Sequence, residues 1–405
     1  MLSTQVLKLK VNISANQAMA FRKTQEHFVA ACNMVSQYIF DHGFILKQRT
    51  LQDRLYYRIR ANFDMPSFLA QSVIKTVIAK YKTIKTLNTQ KLAKQARRQG
   101  WEFDPKTVFE YLWRPISFHK PFVQYARKYS YSVLPDGSVS MLTLDGREKV
   151  TAQWKVGYFD KFYNGEWEQC SATLHERQGK WYLHIVMQKD VEEFSRDSVR
   201  HVVGIDRGLR QIITTYDNDG RTRFRPGGQE ARRRRHFFEL RKHLQKKNTR
   251  SSKRRIRLLG QRENRWMADI NHQISKALVD RYGSNTLFVI EDLTDVSFDE
   301  KNLRRSKEGK RELRSWAFYD LQQKLAYKAQ ADNSLVLEVS AAYTSQRCPY
   351  CGHIRKENRD HKHHIYVCNC CGHRLNDDAV AARNIYRLGT DWIAGIEKPH
   401  YEKIR

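Results

Sequence analysis

Five of the seven cysteines lie between positions 348 and 371, and this cluster constrains the fold more than any other feature. Four of them form two Cys-x2-Cys-Gly-His motifs, at 348–353 and 368–373, with 16 residues between the second and third cysteines. Each motif can present two thiolates on one turn, and four thiolates complete the coordination of a structural zinc ion. The sequence therefore predicts one Zn²⁺ site with the ligands Cys348, Cys351, Cys368 and Cys371.

Cys370 is an alternative ligand, because it could replace Cys371. That exchange would break the symmetry of the two motifs. The nearby histidines are expected to be solvated or to contact phosphate rather than to bind the zinc. They are His353, His361, His363, His364 and His373.

The charge of the chain indicates a polyanionic partner. There are 73 Lys+Arg and 43 Asp+Glu, a formal charge of +30, while 40% hydrophobic residues exclude a disordered basic tail. An acidic membrane surface is the alternative partner. No stretch approaches the roughly 20 apolar residues that span a bilayer, and the N-terminus lacks the pattern of a signal peptide. We therefore expect an intracellular protein that does not bind membranes.

Half of this charge lies in residues 221–265, which hold 18 Lys+Arg and 3 Glu. Apolar residues recur there at helical spacing, which predicts two basic helices joined near residues 249–252. A solvated pair of charged helices is the alternative interpretation. The expected nucleic-acid contacts are Arg232, Arg233, Arg234, Arg235, Arg241, Lys242, Lys246, Lys247, Arg254 and Arg255.

The N-terminal half has a different pattern. Residues 5–12 alternate as a short strand, and Ser14 with Gln17 predicts a capping box that opens a helix. Helical spacing continues to about residue 98. Residues 101–188 combine aromatic and basic side chains with strand-like alternation, which predicts a β-rich barrel or sandwich.

Three acids occupy the ends of predicted elements in the C-terminal half. Asp206 ends a buried strand, Glu291 ends a later one, and Asp377 with Asp378 opens the last helix. The order β-β-β-α-β-α-β-α matches an RNase H-like layout. Such a site would hold two Mg²⁺ ions about 3.5–4 Å apart through carboxylate oxygens. Each acid alone could be a cap, and the choice between Asp377 and Asp378 stays open on this ground.

The C-terminal half also carries a set of motifs that resembles a known family, the TnpB proteins of bacterial and archaeal insertion sequences. These are the transposon-borne relatives of type V CRISPR effectors. The motifs are Gly204-Ile-Asp206-Arg-Gly208-Leu, Ile290-Glu291-Asp-Leu293, Ser315-Trp316, Leu325-x-Tyr327-Lys328-Ala329, Tyr343-Thr344-Ser345-Gln346-Arg-Cys348-Pro-Tyr-Cys351-Gly352, Cys368-x-x-Cys371-Gly372 and Asp378-x-x-Ala381-Ala382-Arg-Asn384-Ile385.

The resemblance implies an RNA-guided, Mg²⁺-dependent endodeoxyribonuclease with the catalytic carboxylates Asp206, Glu291 and Asp378. The Asp-x-x-Ala-Ala spacing selects Asp378 over Asp377. Two positions depart from the family: Arg207 replaces an apolar residue, and Val380 stands where Asn is common. Neither departure removes a carboxylate, so an active nuclease is expected.

The expected fold is α+β and multidomain. It combines an RNase H-like (RuvC) α/β nuclease domain and a zinc ribbon with an oligonucleotide-binding-like β-barrel, the wedge, which holds an inserted helical recognition module. The expected boundaries are wedge 1–12 and 100–192, helical module 13–99, nuclease 199–342 and 376–390, zinc ribbon 343–375, and C-terminal tail 391–405.

The resemblance also implies the partners. They are a guide RNA from the transposon end and double-stranded target DNA beside a short transposon-adjacent motif, in the cytoplasm of a bacterium or archaeon. One protomer on each RNA is expected rather than two. The alternatives are a nuclease-inactive RNA-guided DNA-binding protein, a compact type V CRISPR effector, a resolvase or transposase acting without RNA, and a plain zinc-ribbon nucleic-acid-binding protein.

Overall fold

A computed structural model describes residues 2–154, 157, 159–293, 318–360 and 362–402, apart from the side chains of Lys94 and Arg98. Among the residues named above, Ser315, Trp316 and His361 lie outside this range. The chain forms two compact units, Leu2–Asp190 and Val191–Arg405. Among the helices of the described ranges, none is long and apolar enough to cross a membrane.

The N-terminal unit contains a seven-stranded antiparallel sheet with the strand order β2-β6-β7-β1-β5-β4-β3. The edge strands β2 and β3 are joined by a tight turn, in which Ser130 and Tyr131 both donate backbone hydrogen bonds to the carbonyl of Ala126. The sheet is therefore a nearly closed barrel, as expected. Its strands are β1 (Leu2–Asn12), β2 (Val123–Tyr125), β3 (Tyr131–Val133), β4 (Ser138–Thr143), β5 (Gly146–Gln153), β6 (Glu168–Arg177) and β7 (Lys180–Asp190).

Three helices are inserted between β1 and β2: α1 (Ala15–Asp41), α2 (Gln48–Phe63) and α3 (Ser67–Gln99). The predicted capping box is present, because the Ser14 side chain accepts from the Gln17 backbone while the Gln17 side chain accepts from the Ser14 backbone. The apolar residues of these helices share one hydrophobic core with the inward-facing residues of the barrel. The helices therefore fold as part of this unit.

The C-terminal unit is built on a five-stranded sheet with the order β10-β9-β8-β11-β12. Strands β8, β9 and β10 pair antiparallel, whereas β8, β11 and β12 are parallel. The parallel register pairs Ile205 with Ile290, so β8 and β11 end side by side. The strands are β8 (His201–Asp206), β9 (Gln211–Asp217), β10 (Thr222–Pro226), β11 (Thr286–Glu291) and β12 (Leu335–Val339).

Helices cover both faces of this sheet, which explains why residues 286–290 of β11 are all buried. Residues of α5 and α6 pack on one face and residues of α7 on the other. The α-helices in the described part of this unit are α4 (Gly228–Lys247), α5 (Arg250–Tyr282), α6 (Phe318–Ala331) and α7 (Asp377–Ile393). A small antiparallel sheet lies before α7 and contains β13 (Arg359–Asp360), β14 (Ile365–Val367) and β15 (Arg374–Asn376).

Two glycines allow α7 to lie directly on the sheet. A Cβ atom at Gly204 of β8 would lie 2.3 Å from the carbonyl oxygen of Ala382, and a Cβ at Gly389 would lie 2.4 Å from Cγ2 of Val289. Both distances are far inside van der Waals contact, so only glycine permits this approach. The contacts fix α7 along β8 with its N-terminus, which carries Asp378, toward the end of the strand that carries Asp206.

Candidate functional site

The three predicted carboxylates come together at one edge of the C-terminal sheet, which we call the acidic edge: Asp206, Glu291 and Asp378. Asp206 and Glu291 end the adjacent parallel strands β8 and β11, and Asp378 lies in the first turn of α7. Asn376 caps that turn, because its side-chain oxygen accepts from the backbone N–H groups of Asp378 and Ala379 at 3.0 and 3.2 Å. The strand register and the helix packing therefore position all three acids.

Burial dominates the electrostatics of this edge, and at Asp206 repulsion by the neighbouring acids adds to it. Burial raises the pKa of Asp206 well above its usual value, and the charges of Glu291 and Asp378 raise it further. The pKa of Glu291 and that of Asp378 are also raised, in both cases mainly by burial. Three close carboxylates that resist ionisation together are a donor set suited to a hard divalent cation such as Mg²⁺.

Asp377 and Asp378 have different surroundings. Asp377 is fully buried, and its Oδ2 accepts a hydrogen bond from Nε of Arg359 at 2.9 Å. The Asp378 side chain keeps 14% of its surface exposed. The charge of Asp378 raises the pKa of Asp206 more than the charge of Asp377 does. These two differences favour Asp378 over Asp377 as the acid that acts together with Asp206.

The side chains of His364, Asp377 and Asp378 have potential ligand atoms within 4.8 Å of one another. Within the described ranges, Asp206, Glu291 and Asp378 do not form so tight a group. Their association rests on the strand ends, the helix start and the electrostatic coupling described above.

A loop after β12 also contacts Glu291, through a residue to which the sequence motifs assign no role. The Thr344 hydroxyl donates to Oε1 of Glu291 at 2.5 Å. Asn384 of α7 in turn donates from its side-chain amide to the carbonyls of Thr344 and Arg347, at 2.8 and 2.7 Å. Thr344 and Asn384 are both buried, so these hydrogen bonds tie Glu291, the loop and α7 together. In the sequence, the sign of these roles is that Thr344 and Asn384 both lie inside the family motifs quoted above.

Arg207, the residue that departs from the family pattern, is also part of this edge. Its guanidinium is buried and donates to the backbone carbonyl of Glu291 and, at 3.2 Å, to the side chain of Gln322 on α6. Burial lowers the pKa of Arg207, while nearby acids, Glu291 first, oppose that shift. Arg207 thus links the ends of β8 and β11 to α6.

The four predicted zinc ligands form a second cluster, with their Sγ atoms within 4.8 Å of one another. Sγ of Cys348 lies 3.6 Å from that of Cys371, and Sγ of Cys351 lies 3.5 Å from that of Cys368. Cys370 is exposed and is not in the group. None of the described histidines belongs to it either.

The two halves of this cysteine cluster have the same backbone structure. Gly352 donates to the carbonyl of Cys348 at 3.0 Å, and Gly372 donates to that of Cys368 at 2.8 Å. Both glycines have positive φ angles, 77° and 71°, which side chains rarely adopt. A backbone hydrogen bond at His353 contributes most to lowering the pKa of Cys351 to about 7, which favours a thiolate ligand.

The predicted nucleic-acid contacts lie on α4 and at the start of α5. Nη1 of Arg241 lies 2.6 Å from Oε2 of the buried Glu263, and the guanidinium of Arg233 lies 4.8 Å from the ring centre of Trp266. Both side chains therefore help to join α4 to α5. Arg234 is half-buried. Eight of the ten are exposed, namely Arg233 and also Arg232, Arg235, Lys242, Lys246, Lys247, Arg254 and Arg255.

Comparison with known proteins identifies relatives of this chain. A family profile described as "Probable transposase" matches residues 184–295, and one described as "Cas12f1-like, TNB domain" matches residues 318–385. The CRISPR-associated endodeoxyribonuclease Cas12f1 of Sulfoacidibacillus thermotolerans is 28% identical over 276 residues, which cover 61% of this chain and 63% of that protein. The putative RNA-guided DNA endonuclease InsQ of Escherichia coli K12 is 30% identical over 234 residues, which cover 54% and 56% respectively.

Among solved structures, that of a Cas12f1–sgRNA–target DNA complex has a protein chain similar in fold. The TM-score is 0.65 at 12% identity, and the match covers 95% of this chain and 99% of the other. Further relatives carry the name TnpB-like. The expected resemblance is confirmed, and the chain is related to the TnpB and Cas12f1 proteins. It spans less than two thirds of the length of the two curated relatives described above.

Proposed function

We propose that this chain is an RNA-guided DNA endonuclease with a metal-dependent RuvC-like active site at the acidic edge. The observation that carries the proposal is the convergence of Asp206, Glu291 and Asp378, each with a pKa raised by burial. The sheet order, with three antiparallel strands followed by two parallel ones, supports an RNase H-like domain. The names of the relatives, an endodeoxyribonuclease and a putative RNA-guided DNA endonuclease, support the reaction.

In this proposal Asp206, Glu291 and Asp378 hold two Mg²⁺ ions through their carboxylate oxygens. Bound divalent ions supply an activated water nucleophile and stabilise the leaving 3′ oxygen of the cleaved phosphodiester. The chain itself orients the acids: Thr344 fixes Oε1 of Glu291, Arg207 fixes its backbone carbonyl, and Asn376 caps the turn that carries Asp378. Pre-ordered ligands avoid reorganisation when the metal and the substrate bind.

The cysteine cluster serves as a structural zinc ribbon in this proposal. Cys348, Cys351, Cys368 and Cys371 would complete a tetrahedral shell, which leaves no open position for catalysis. Two backbone turns of the same structure already present the thiols in pairs. The zinc would therefore stabilise the region that precedes α7.

The remaining parts are proposed to bind nucleic acid. The exposed basic residues of α4 and α5 would contact the phosphates of the guide–target heteroduplex or of the displaced strand, by charge rather than by base sequence. The barrel and its helical module would form the wedge and recognition domains, with the boundaries stated above. A guide RNA and double-stranded DNA are the proposed partners.

Purified protein loaded with its guide RNA tests the proposal on matched target DNA, with Mg²⁺ or with EDTA. We expect cleavage in Mg²⁺ and none in EDTA, and we expect Asp206→Ala to bind target without cutting it. Target binding without cleavage by the wild-type protein in Mg²⁺ would instead identify a nuclease-inactive RNA-guided binder. Cleavage that does not depend on a matching RNA would indicate a resolvase or transposase.

A compact CRISPR effector is the second candidate, and one observation favours it: a Cas12f1 is among the relatives described above, and a Cas12f1 complex shares the fold. Sequencing the RNA that co-purifies with the protein separates the two. A guide derived from a transposon end supports a TnpB-type enzyme, whereas a repeat-derived CRISPR RNA supports the effector.

A further inference from the structure

The β13–β14 hairpin, which lies between the two cysteine motifs, contacts the two residues that precede Asp378. On β13, Nε of Arg359 donates to Oδ2 of Asp377 at 2.9 Å. Before β14, the carbonyl of His364 accepts from the Asp377 backbone and from the Asn376 side chain, each at 3.3 Å. One hairpin therefore makes three hydrogen bonds to the start of α7.

The contact between Arg359 and Asp377 is the strongest of these. Asp377 is fully buried, and a buried carboxylate is costly unless it is paired and hydrogen-bonded. Nη2 of Arg359 also lies 4.0 Å from Oδ1 of Asp378. If Arg359 were removed, the buried Asp377 carboxylate would lose this partner and would have to shift, and Asp378 is the next residue in the same helical turn.

The backbone of His364 is held in an unusual conformation at the same place. Its φ angle is 56°, in the left-handed region that a residue with a side chain rarely adopts. Such strain persists only where the surroundings enforce it. Here it brings the His364 carbonyl to Asn376 and Asp377, and Nδ1 of His364 to within 3.4 Å of Oδ1 of Asp377.

The hairpin is also anchored by the cysteine cluster. Strand β14 ends at Val367, directly before Cys368, and β13 follows the turn formed by the first cysteine pair. Any ion that orders the four thiols would therefore order the base of the hairpin. The hairpin then reaches from the cysteine cluster to the acidic edge.

We propose that Arg359 is a positioning residue for Asp378, and that the β13–β14 hairpin uses it to link the cysteine cluster to the acidic edge. The inference rests on the proposed nuclease function, which gives Asp378 a metal ion to hold. Outer residues that orient metal ligands typically contribute about 10–100-fold to metal affinity or activity.

The sign of the effect on metal binding distinguishes positioning from a simple charge effect. Arg359 places a positive charge near Asp378. If charge were its only effect, removing Arg359 would strengthen cation binding at the acidic edge. If Arg359 instead positions Asp378, its removal weakens cation binding because a ligand is displaced. Mn²⁺ is a suitable probe, since its binding is measurable by electron paramagnetic resonance without any nucleic acid.

The test compares full-length wild-type protein with Arg359→Gln, Arg359→Lys and Asp377→Asn, and with Asp378→Ala as the reference for a lost ligand. Arg374→Gln on β15 is the matched control, because Arg374 is an exposed arginine of the same small sheet. We expect Arg359→Gln and Asp377→Asn to bind Mn²⁺ about tenfold more weakly or worse, with normal zinc content. We expect Arg359→Lys to recover most of the affinity and Arg374→Gln to match wild type.

The proposal would be overturned if Arg359→Gln bound Mn²⁺ as tightly as wild type or more tightly. It would also be overturned if Asp378→Ala bound Mn²⁺ as tightly as wild type, because Asp378 would then not be a ligand. If Arg359→Gln fails to fold or loses zinc, Asp377→Asn decides, and unchanged Mn²⁺ affinity in that variant is the contrary result. If the wild-type protein does not cleave DNA, the proposed function fails, while the Mn²⁺ measurements still decide the role of Arg359.

Discussion

The acidic edge and the cysteine cluster both gather candidate metal ligands, but they are built in opposite ways. The four clustered cysteines lie within 24 residues, and each pair is shaped by its own backbone turn. The three acids come from two strands and a helix that are far apart in sequence, and only the folded sheet joins them. The first site is encoded locally, whereas the second is a product of tertiary structure.

The two sites also differ in how they affect the stability of the fold when no metal is bound. The acidic edge holds carboxylates that repel one another, so folding works against their ionisation. The cysteine cluster can keep some of its thiols protonated, and burial raises the pKa of Cys348 to about 12. Metal should therefore relieve repulsion at the acidic edge, while at the cysteine cluster it should supply the cross-link that orders a small sheet.

Removing a cysteine ligand should have the largest effect on stability. We expect Cys351→Ser to unfold the region around residues 348–376, because a structural zinc site contributes about 10–16 kcal/mol to folding and one missing ligand forfeits much of it. Thermal unfolding and zinc analysis would measure this, with Cys370→Ser as the control because Cys370 lies outside the group. Normal zinc content and an unchanged melting profile in Cys351→Ser would contradict the assignment.

Removing an acid should stabilise the metal-free fold, whereas removing a cysteine should destabilise it. The loss of an acid should also reduce DNA cleavage more than the loss of a cysteine does. We expect Asp206→Asn to reduce cleavage to background while target binding remains. Since burial and neighbouring acids raise the pKa of Asp206, its charged form destabilises the metal-free fold near neutral pH. The variant should therefore unfold at a higher temperature than wild type in EDTA, and a lower unfolding temperature would argue against this repulsion.

Lowering the pH should separate the two sites in one protein. A carboxyl whose pKa is raised in the folded state stabilises the fold below its unfolded pKa, and this contribution is lost as pH rises through the folded pKa. The metal-free acidic edge should thus gain stability as the pH falls from 7 toward 4. The cysteine cluster should behave in the reverse manner, because protons compete with zinc for the thiolates.

Hydrogen exchange at β8 and at β14 would follow the two regions separately across this pH range. Asp206→Asn should flatten the response at β8 and leave that at β14 unchanged. Equal loss of protection in both regions on acidification would contradict the distinction.

The same difference explains what the sequence could predict. The cysteine ligands follow from spacing, and the strand-end acids follow from the order of elements together with the family motifs. Thr344, Asn384 and Arg359 could not be assigned roles, because each acts through a partner that only the fold brings near. The close contact between Gly204 and α7 could not be predicted either, because a glycine near the end of a strand can serve several structural purposes.

The smallest expected effect tests how the acidic edge is tuned. Thr344→Val removes the hydroxyl that donates to Oε1 of Glu291 and keeps a side chain of similar shape. The hydrogen bond lowers the pKa of Glu291 against its burial, so its loss should favour the protonated acid and weaken metal binding. We expect cleavage at limiting Mg²⁺ to fall about tenfold and to recover partly at saturating Mg²⁺. Thr344→Ser keeps the hydroxyl and should stay near wild type. Equal rates for Thr344→Val and Thr344→Ser across the Mg²⁺ range would show that Glu291 is held by the strand alone.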